Sequence, residues 1–238
     1  VILENLEECK AKSVICGGKV VDEKLFSTVK RVDPIGLNSV KSKTLKKSDF
    51  ISKDKTQKTN IIGIIEGKII TEHLHDEIPI VNGDKSPDTS KDLVRVSVIE
   101  RHGKNNNIAN GFVRGFGLKK GAVASTVAHD HHNIVSIGID YEDMAIACNR
   151  LKEIKGGFVI ASQGKITAEL SLPIAGLMSL ESFEIVRDKL TDLRRSAKDL
   201  GIILEEPFLQ LAFLALPVIP SLKITDHGLV DVEKFKII

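Results

Sequence analysis

Short runs of β-branched residues alternate along the chain with two amphipathic helical segments, and this pattern restricts the possible folds. Val94, Val96 and Val98 alternate with other residues, so a strand at this place carries all three on one face. Strands interspersed with helices and hairpins are typical of an α+β domain. We therefore expect a mixed α/β (α+β) fold, with mixed sheet layers, packed helices and a small N-terminal β segment. The runs with strand character are residues 61–65, 68–70, 93–99, 122–128 and 134–139.

Two segments have the periodicity of amphipathic helices. Asp140 is suited to cap the first, with Asp143 three residues later as in a capping box. The second extends from Ser179, a suitable N-cap, to residue 200. Between the two, Gln163-Gly164 predicts the turn of a β-hairpin. The apolar stripes are Met144, Cys148 and Leu151 in the first helix, and Phe183, Val186, Leu190, Leu193, Ala197 and Leu200 in the second.

The first 58 residues differ in composition from the remainder of the chain. Gly17-Gly18 joins two short apolar runs, which predicts a β-hairpin. Residues 33–58 mix lysines with Ser, Thr and Asp, which favours an exposed connection; a nucleic-acid-binding arm is the alternative, but no aromatic platform accompanies the charges. We expect residues 1–58 to form a small β segment with a Lys-rich linker, and residues 59–238 to form the main domain. The lysines are Lys41, Lys43, Lys46, Lys47, Lys53, Lys55 and Lys58.

Charge and composition argue against several classes of protein. With 34 basic and 32 acidic residues the chain lacks the basic excess of nucleic-acid-binding proteins. No apolar run is long enough to span a bilayer, and the longest, residues 208–219, predicts a buried core segment. We therefore expect no nucleic-acid partner and no membrane partner. The three cysteines form no CxxC pair and no signal-peptide pattern is present, so the expected location is the cytoplasm.

A histidine-rich connection is the sharpest local feature. His129, Asp130, His131 and His132 lie between two predicted strands, where functional residues often occur. Neutral imidazoles are ligands for Zn, Mn or Fe, and they exchange protons near neutral pH. A polar loop whose histidines only satisfy backbone groups is the alternative.

A second candidate, Glu100-Arg101-His102, ends the predicted strand of residues 93–99. It suits either a pocket or an ordinary ion pair at a strand end. His73-Leu74-His75 has the spacing of a metal-binding pair, but no series of further His and Asp residues follows it, so we interpret it as a surface pair. The motifs HExxH, GxSxG and HxE with PCxxC are absent. The residues therefore provide no complete catalytic set.

Several motifs together resemble the C-terminal domain of bacterial and archaeal adenine deaminases. The resemblance covers residues 61–238, and residues 1–32 are similar to the segment that completes the small β domain of that family. It is more specific than any single motif because the motifs follow one another in the order of the family. They are VIERHGK (98–104), GFVRGFGLK (111–119), VAHD (127–130) with HN (132–133), DMA (143–145), LPIAGLMS (172–179), LALPVIP (214–220), TD (225–226) and GLVD (228–231).

The resemblance implies a hydrolase of the amidohydrolase superfamily that converts adenine and water to hypoxanthine and ammonia, as in adenine catabolism and purine salvage. Its cofactor would be Mn²⁺ or Fe²⁺, held mainly by a (β/α)₈ barrel that precedes this domain and needs about 250 residues. The chain would then be the C-terminal portion of such an enzyme, inactive alone, and would cover the metal site of a barrel supplied in cis or in trans. The implied partners are adenine, that barrel and further copies of the same protein.

By the same resemblance, the substrate-facing candidates are Glu100, Arg101, His102, His129, Asp130 and His132, and the candidates for a metal contact are His129 and His132. The chain departs from the family at His131, where a small residue is usual, and at residues 105–107, where the family is richer in glycine. Two alternatives stay open. One is a non-catalytic purine-binding or interaction module derived from the enzyme, and the other is an independent metal site at the histidine loop.

Overall fold

The computed structural model describes residues 1–27, 32–52, 56 and 58–238. By its contacts the chain separates into two compact units, Val1–Pro34 and Ile35–Ile238. The division by contacts falls after residue 34, whereas the sequence predicts a domain boundary after residue 58. The predicted boundary stays a prediction.

The first unit consists of two small hairpins and one short helix. Its elements are β1 (Ile2–Asn5), β2 (Lys10–Ser13), β3 (Ile15–Cys16), β4 (Lys19–Val20) and α1 (Glu23–Ser27). Gly17 and Gly18 have positive φ angles and connect β3 to its antiparallel partner β4, which confirms the predicted hairpin. None of the described side chains of this unit is buried.

The second unit is built on an eight-stranded sheet with the strand order β14-β13-β11-β12-β9-β10-β5-β6. All neighbours in this sheet are antiparallel except β5 and β10, which are parallel. Two smaller antiparallel sheets accompany it, β7 with β8 and β15 to β17. The strands are β5 (Lys58–Ile64), β6 (Thr71–Glu77), β7 (Ile80–Val81), β8 (Asp84–Lys85), β9 (Leu93–Ile99), β10 (Ile108–Arg114), β11 (Ala122–Ser125), β12 (Ile134–Gly138), β13 (Gly157–Ser162), β14 (Lys165–Ser171), β15 (Leu222–Thr225), β16 (Gly228–Asp231) and β17 (Lys236–Ile237).

Strand β9 lies inside the large sheet, between β12 and β10, and all of its residues are buried. Val94, Val96 and Val98 are 0% exposed and belong to one hydrophobic cluster, which confirms that they share a face. The mixed α+β fold predicted from the sequence is likewise confirmed by the sheet and the helices packed on it. A strand covered on both faces is held firmly in register, so its end is a well-defined position for a functional loop.

Helix α2 (Tyr141–Glu153) packs on one face of the sheet. The carboxylate of Asp140 accepts hydrogen bonds from the N–H groups of residues 142 and 143, as predicted for an N-cap. Asp143 does not complete a capping box, and that prediction was wrong: its carboxylate accepts the N–H groups of Gln163 and Gly164 instead. Asp143 thereby fixes the turn between β13 and β14, the hairpin that the sequence predicts.

The other face of the sheet is covered by α3 (Phe183–Asp199) and α4 (Pro207–Phe213). Helix α3 begins after Ser182, so the predicted start at Ser179 was wrong; the Ser179 hydroxyl accepts the N–H of Glu181 in the preceding turn. Phe183 consequently lies in the first turn and is 74% exposed, outside the apolar stripe. Phe208 and the apolar residues around α4 are largely buried, which confirms a core segment there.

The lysine-rich segment contributes to the core, contrary to the prediction of an exposed connection. Val40, Leu45 and Phe50 are 5%, 3% and 0% exposed and pack with α2 in one hydrophobic cluster. The side chain of Asn149 binds both the N–H and the carbonyl of Leu45. The lysines that the structure describes in this segment are exposed. Because the composition is dominated by these polar residues, it gave no indication that three apolar side chains are buried. Lys53 and Lys55 lie outside the described residues.

Residues 68–70, predicted as a strand, instead form the connection to β6, and the acidic segment after them is the edge strand of the sheet. Charged residues suit such a position because they discourage pairing with another chain.

Within the described residues, no helix has the length and apolar character needed to cross a membrane.

Candidate functional site

Two of the loops predicted to carry function lie side by side at one end of the sheet. Strands β9 and β12 are neighbours, and Ile99 at the end of β9 pairs with Ile134 at the start of β12. The loop after β9 therefore meets the loop before β12, although about thirty residues separate them in the chain. The first loop begins with Glu100-Arg101-His102 and the second contains residues 129–133.

Arg101 ties these two loops to two further segments. Its side chain is 1% exposed, and its guanidinium donates to the carbonyls of His132, Ser39 (3.0 Å) and Ala175 (3.0 Å) and to the Ser39 hydroxyl (3.2 Å). Burial lowers the pKa of Arg101 to about 10. Because its partners are backbone carbonyls and one hydroxyl, the guanidinium acts as a clamp on loop conformation.

Because Gly176 has no side chain, the guanidinium of Arg101 is able to pack against the turn of residues 174–178. A Cβ at position 176 would come within 3.0 Å of the Cζ of Arg101. The Gly176 carbonyl in turn accepts a hydrogen bond from the Thr126 hydroxyl at 2.6 Å. The turn of residues 174–178 is thus connected to the histidine loop in two ways, through Arg101 and through Thr126.

Glu100 organises the loop in which it lies. Its carboxylate accepts the backbone N–H groups of residues 102, 104, 105 and 106 at 2.5 to 3.4 Å, and the residue is 3% exposed. Burial by itself raises the pKa of Glu100, but these backbone donors outweigh it and the net pKa is lowered. The carboxylate is therefore ionised at neutral pH and committed to its own loop.

His131 connects the histidine loop to the loop after β9, and Asn133 connects it to the hairpin of β15 and β16. The His131 carbonyl accepts a hydrogen bond from Nε2 of His102 at 2.8 Å, and its Nδ1 accepts the N–H of Asn133 at 3.1 Å. Neutral His131 consequently carries its proton on Nε2, which is buried near the backbone of Ala215 but does not reach hydrogen-bond geometry with a described residue. Asp226 accepts the side-chain amides of Asn133 at 3.2 Å and Asn105 at 3.4 Å.

His129 and His132 lie next to each other on the same loop. Their ring centroids are 6.1 Å apart with an edge-to-face arrangement, and the His129 ring also contacts Phe213 at 4.8 Å. His132 has φ 50°, in the left-handed region, and its N–H donates to the Ala128 carbonyl. Within the described part of the chain, no group of three or more His, Cys, Asp or Glu side chains could hold a metal ion. Two imidazoles by themselves do not make a resident metal site.

Two of the histidines are held in the neutral state. Burial lowers the pKa of His131, and the neighbouring histidines His132 and His102 lower it further, while Asp226 opposes the change. Burial also lowers the pKa of His132, with contributions from the charges of Arg101 and His129. A neutral imidazole at pH 7 is able to accept a proton or donate a lone pair.

The structure places the six predicted substrate-facing residues in one region and divides them by exposure. His102 and Asp130 are exposed and His129 and His132 are partly buried, whereas Glu100 and Arg101 are buried and engaged with backbone groups. Whether the six residues face a substrate stays a prediction. We call the four accessible residues, His102, His129, Asp130 and His132, the histidine surface.

Sequence reasoning gave no role to two members of this region. Asp226 stood in a quoted motif without a role, and its proximity to Asn133 follows only from the fold. No sequence pattern indicated a role for Ser39, because it lies in the lysine-rich segment that was predicted to be an exposed connection. The HxH pair His73 and His75 is on β6, separated from β9 by two strands; its rings stack at 4.6 Å and His73 binds Asn60.

Comparison with known proteins gives a consistent match. The family model described as the adenine deaminase C-terminal domain matches residues 68–236. Adenine deaminases of Cereibacter sphaeroides and Sinorhizobium fredii are each 57% identical over 238 residues, which is 100% of this chain and 42% of each relative. One of Brucella anthropi is 57% identical over 235 residues, 99% of this chain and 42% of the relative. The chain thus spans less than half the length of these relatives.

Proposed function

This chain belongs to the adenine deaminase family through its C-terminal domain, and from that premise we propose that it takes part in the hydrolytic deamination of adenine to hypoxanthine and ammonia. The observation that carries the proposal is the 57% identity to adenine deaminases along the full chain. The matched share of these relatives is 42%, so the proposal assigns the remaining chemistry to a part of the enzyme that this sequence does not contain. That part is the amidohydrolase barrel expected from the family resemblance.

In this proposal the histidine surface closes over the open face of the barrel and faces the purine. Its residues lie on two adjacent loops, one after β9 and one before β12. The pairing of these two strands and the hydrogen bond of Arg101 to the His132 carbonyl fix the positions of both loops. Glu100 and Arg101 then act through loop shape, because their polar atoms are occupied by backbone groups.

The metal of the reaction, Mn²⁺ or Fe²⁺ by the family resemblance, does not fit the described residues as a resident group. They bring together two imidazoles, His129 and His132, without the third ligand that a closed site requires. We therefore assign the metal ligands to the barrel. Assembly of further copies of the protein and a cytoplasmic location also stay predictions.

The histidine surface offers two kinds of contact to a purine. His132 is neutral at pH 7 because its pKa is lowered, so it is able to hold a proton that leaves or enters the substrate. Asp130 is exposed and offers a carboxylate that accepts hydrogen bonds from an amino group. In this proposal both contacts are made to the exocyclic nitrogen of the purine, which deamination removes.

The test is reconstitution of activity. The full chain is assayed with adenine and Mn²⁺, first alone and then after co-expression with the part of the Cereibacter sphaeroides relative that the chain does not match. We expect no hypoxanthine from the chain alone and measurable turnover from the combination. Turnover by the chain alone would contradict the assignment of the chemistry to another part.

Calorimetric titration with adenine distinguishes the remaining outcome. Tight binding of adenine by the chain without turnover in any combination would favour the purine-binding module instead. Loss of binding on chelation of metal, restored by Mn²⁺ and abolished in His129→Ala, would favour an independent metal site.

A further inference from the structure

Four large apolar side chains are exposed around the point where the chain enters its second compact unit. Ile35, the first residue of that unit, is 84% exposed. Met178 is 57% exposed, and Leu180 and Phe183 are exposed as well. Met178 and Leu180 lie on the segment that precedes α3, and Phe183 is the first residue of that helix. We call these four residues the junction patch.

The two segments that carry the junction patch lie side by side. The Gly36 carbonyl accepts the N–H of Ala175 at 3.1 Å, and a Cβ built on Gly36 would contact Ala175 at 3.4 Å. Ile174 pairs with Met178 through an isolated β-bridge, which holds Met178 at the base of the same turn. Ile35 and Met178 are therefore neighbours on one surface, although they are far apart in the chain.

The exposure of Phe183 is not explained by the packing of α3. That helix is anchored to the sheet by Leu193 and Ala197, which belong to its C-terminal half. Single apolar side chains on a surface are ordinary, whereas several adjacent ones mark a contact surface. Aromatic residues and Met are enriched in the buried centres of protein interfaces. The junction patch thus has the composition of a surface that another polypeptide covers.

The matched relatives indicate which polypeptide that is. The chain matches 42% of the length of these adenine deaminases, and the family model describes the matched region as the C-terminal domain. In the relatives the larger part consequently precedes this region and continues into the second unit at the position of Ile35. The junction patch surrounds the point at which that preceding part of the enzyme arrives.

The junction patch is also mechanically connected to the histidine surface. Arg101 donates to the carbonyl of Ala175 at 3.0 Å and to that of His132, so one buried side chain holds both the turn before α3 and the histidine loop. A partner seated on the patch therefore lies next to the four accessible residues of the histidine surface.

We propose that the junction patch is the docking surface for the preceding part of the enzyme, the part of the relatives that this chain does not match. The inference rests on the proposed function for the existence of that part, and it adds the surface through which the part binds. Apolar contacts at the patch supply binding free energy, so the polar side chains of the histidine surface remain free to meet a substrate.

Met178 reports directly whether the patch is covered. The chain has two methionines, and the other, Met144, is 0% exposed and is an internal standard. Hydrogen peroxide converts accessible methionine to its sulfoxide, and mass spectrometry measures the rate for each residue. The free chain is compared with a fusion in which the unmatched preceding part of the Cereibacter sphaeroides relative is joined to its N-terminus. We expect Met178 to be oxidised about tenfold or more slowly in the fusion, and Met144 to be oxidised slowly in both.

Phe183→Glu tests the patch without disturbing the fold, because the side chain is exposed and a carboxylate suits the first turn of a helix. A carboxylate buried in an apolar interface is costly, so Met178 of the fusion should be oxidised within about threefold of the free-chain rate. Ile203→Glu is the matched control. Ile203 is also exposed but follows the opposite end of α3, about 25 Å away, and its replacement should leave Met178 protected.

Equal oxidation rates of Met178 in the free chain and in the fusion would overturn the proposal, and so would equal effects of the two glutamate variants. If the fusion is insoluble, the same rates are measured on the two parts co-expressed, and an unprotected Met178 in that sample counts equally against it. Protection in the free chain that disappears when sedimentation shows a monomer would assign the patch to a second copy instead.

Hypoxanthine formation is assayed on the same samples, so that the two proposals are judged separately. Protection of Met178 without turnover would support the docking surface and contradict the proposed function. Turnover with an unprotected Met178 would support the proposed function and overturn the docking surface.

Discussion

Gly176 lies directly against the guanidinium of Arg101: a Cβ built on Gly176 would stand 3.0 Å from Cζ, Nη1 and Nη2 of Arg101. The contact joins the turn of residues 174–178 to the end of β9, 75 positions earlier in the chain. The clamp that holds the histidine loop therefore depends on the absence of a side chain at one position.

Gly176→Ala should lower the free energy of unfolding by about 2 to 4 kcal/mol, because a Cβ meets Arg101 and φ is +73°. Gly164→Ala is the matched control: its φ is +76°, but nothing lies within 4 Å of the added Cβ. Denaturation with urea measures both. Equal losses in the two variants would mean that the contact with Arg101 contributes nothing.

Arg101→Met should destabilise the chain by about 3 kcal/mol, since it removes a buried cation and leaves three partly buried carbonyls without its donors. Arg187→Met, at an exposed arginine of α3, is the control and should change stability by less than about 0.5 kcal/mol. Chemical denaturation compares the two. A loss for Arg101→Met no greater than that of the control would refute the role of a clamp.

Phe50→Ala should lower the free energy of unfolding by about 3 to 5 kcal/mol, because its 0% exposed ring fills the cluster beneath α2. The neighbouring Ile51 is 41% exposed, so Ile51→Ala should have a small effect. Thermal or urea unfolding tests the pair. If both variants behaved alike, the lysine-rich segment would be the exposed connection that its composition suggests.

Stability should fall as the pH is lowered from 7.5 to 5.5. The folded-state pKa values of His131 and His132 are lowered, so the unfolded chain binds more protons as the pH falls through about 6.5. The histidine contribution is complete above that value and is lost below it. His131→Asn removes one titrating group while its amide oxygen is able to accept the Asn133 N–H, and it should flatten the pH dependence. An unchanged slope would show that His131 is not a source of it.

In the reconstituted enzyme, His132→Asn should reduce kcat by about a hundredfold or more if this imidazole holds a proton during the reaction. His75→Asn, at an exposed histidine of β6, is the control and should retain activity. The stability of the free chain should be nearly unaffected by either change. Full activity of His132→Asn would remove the histidine surface from the chemistry.

Elements with local signals could be predicted from the sequence. Strand β9, the hairpin turn at Gln163-Gly164 and the Asp140 cap are each specified by residues within a few positions of one another. The start of α3 was misplaced because Ser179 and Ser182 are equally suited to an N-cap, and the turn before Ser182 decides between them. Asp143 was misassigned because its acceptor role involves N–H groups twenty positions away.

The family, the mixed α+β fold and the two loops that carry the candidate residues could be inferred from the amino-acid sequence, because ordered motifs and hydrophobic periodicity are properties of neighbouring positions. The role of each polar side chain instead depends on long-range packing. The donors of Arg101 reach carbonyls 31, 62 and 74 positions away, and those separations follow from strand order and register. A buried guanidinium must satisfy its N–H groups with whatever acceptors the packing brings near, and local sequence carries no record of them.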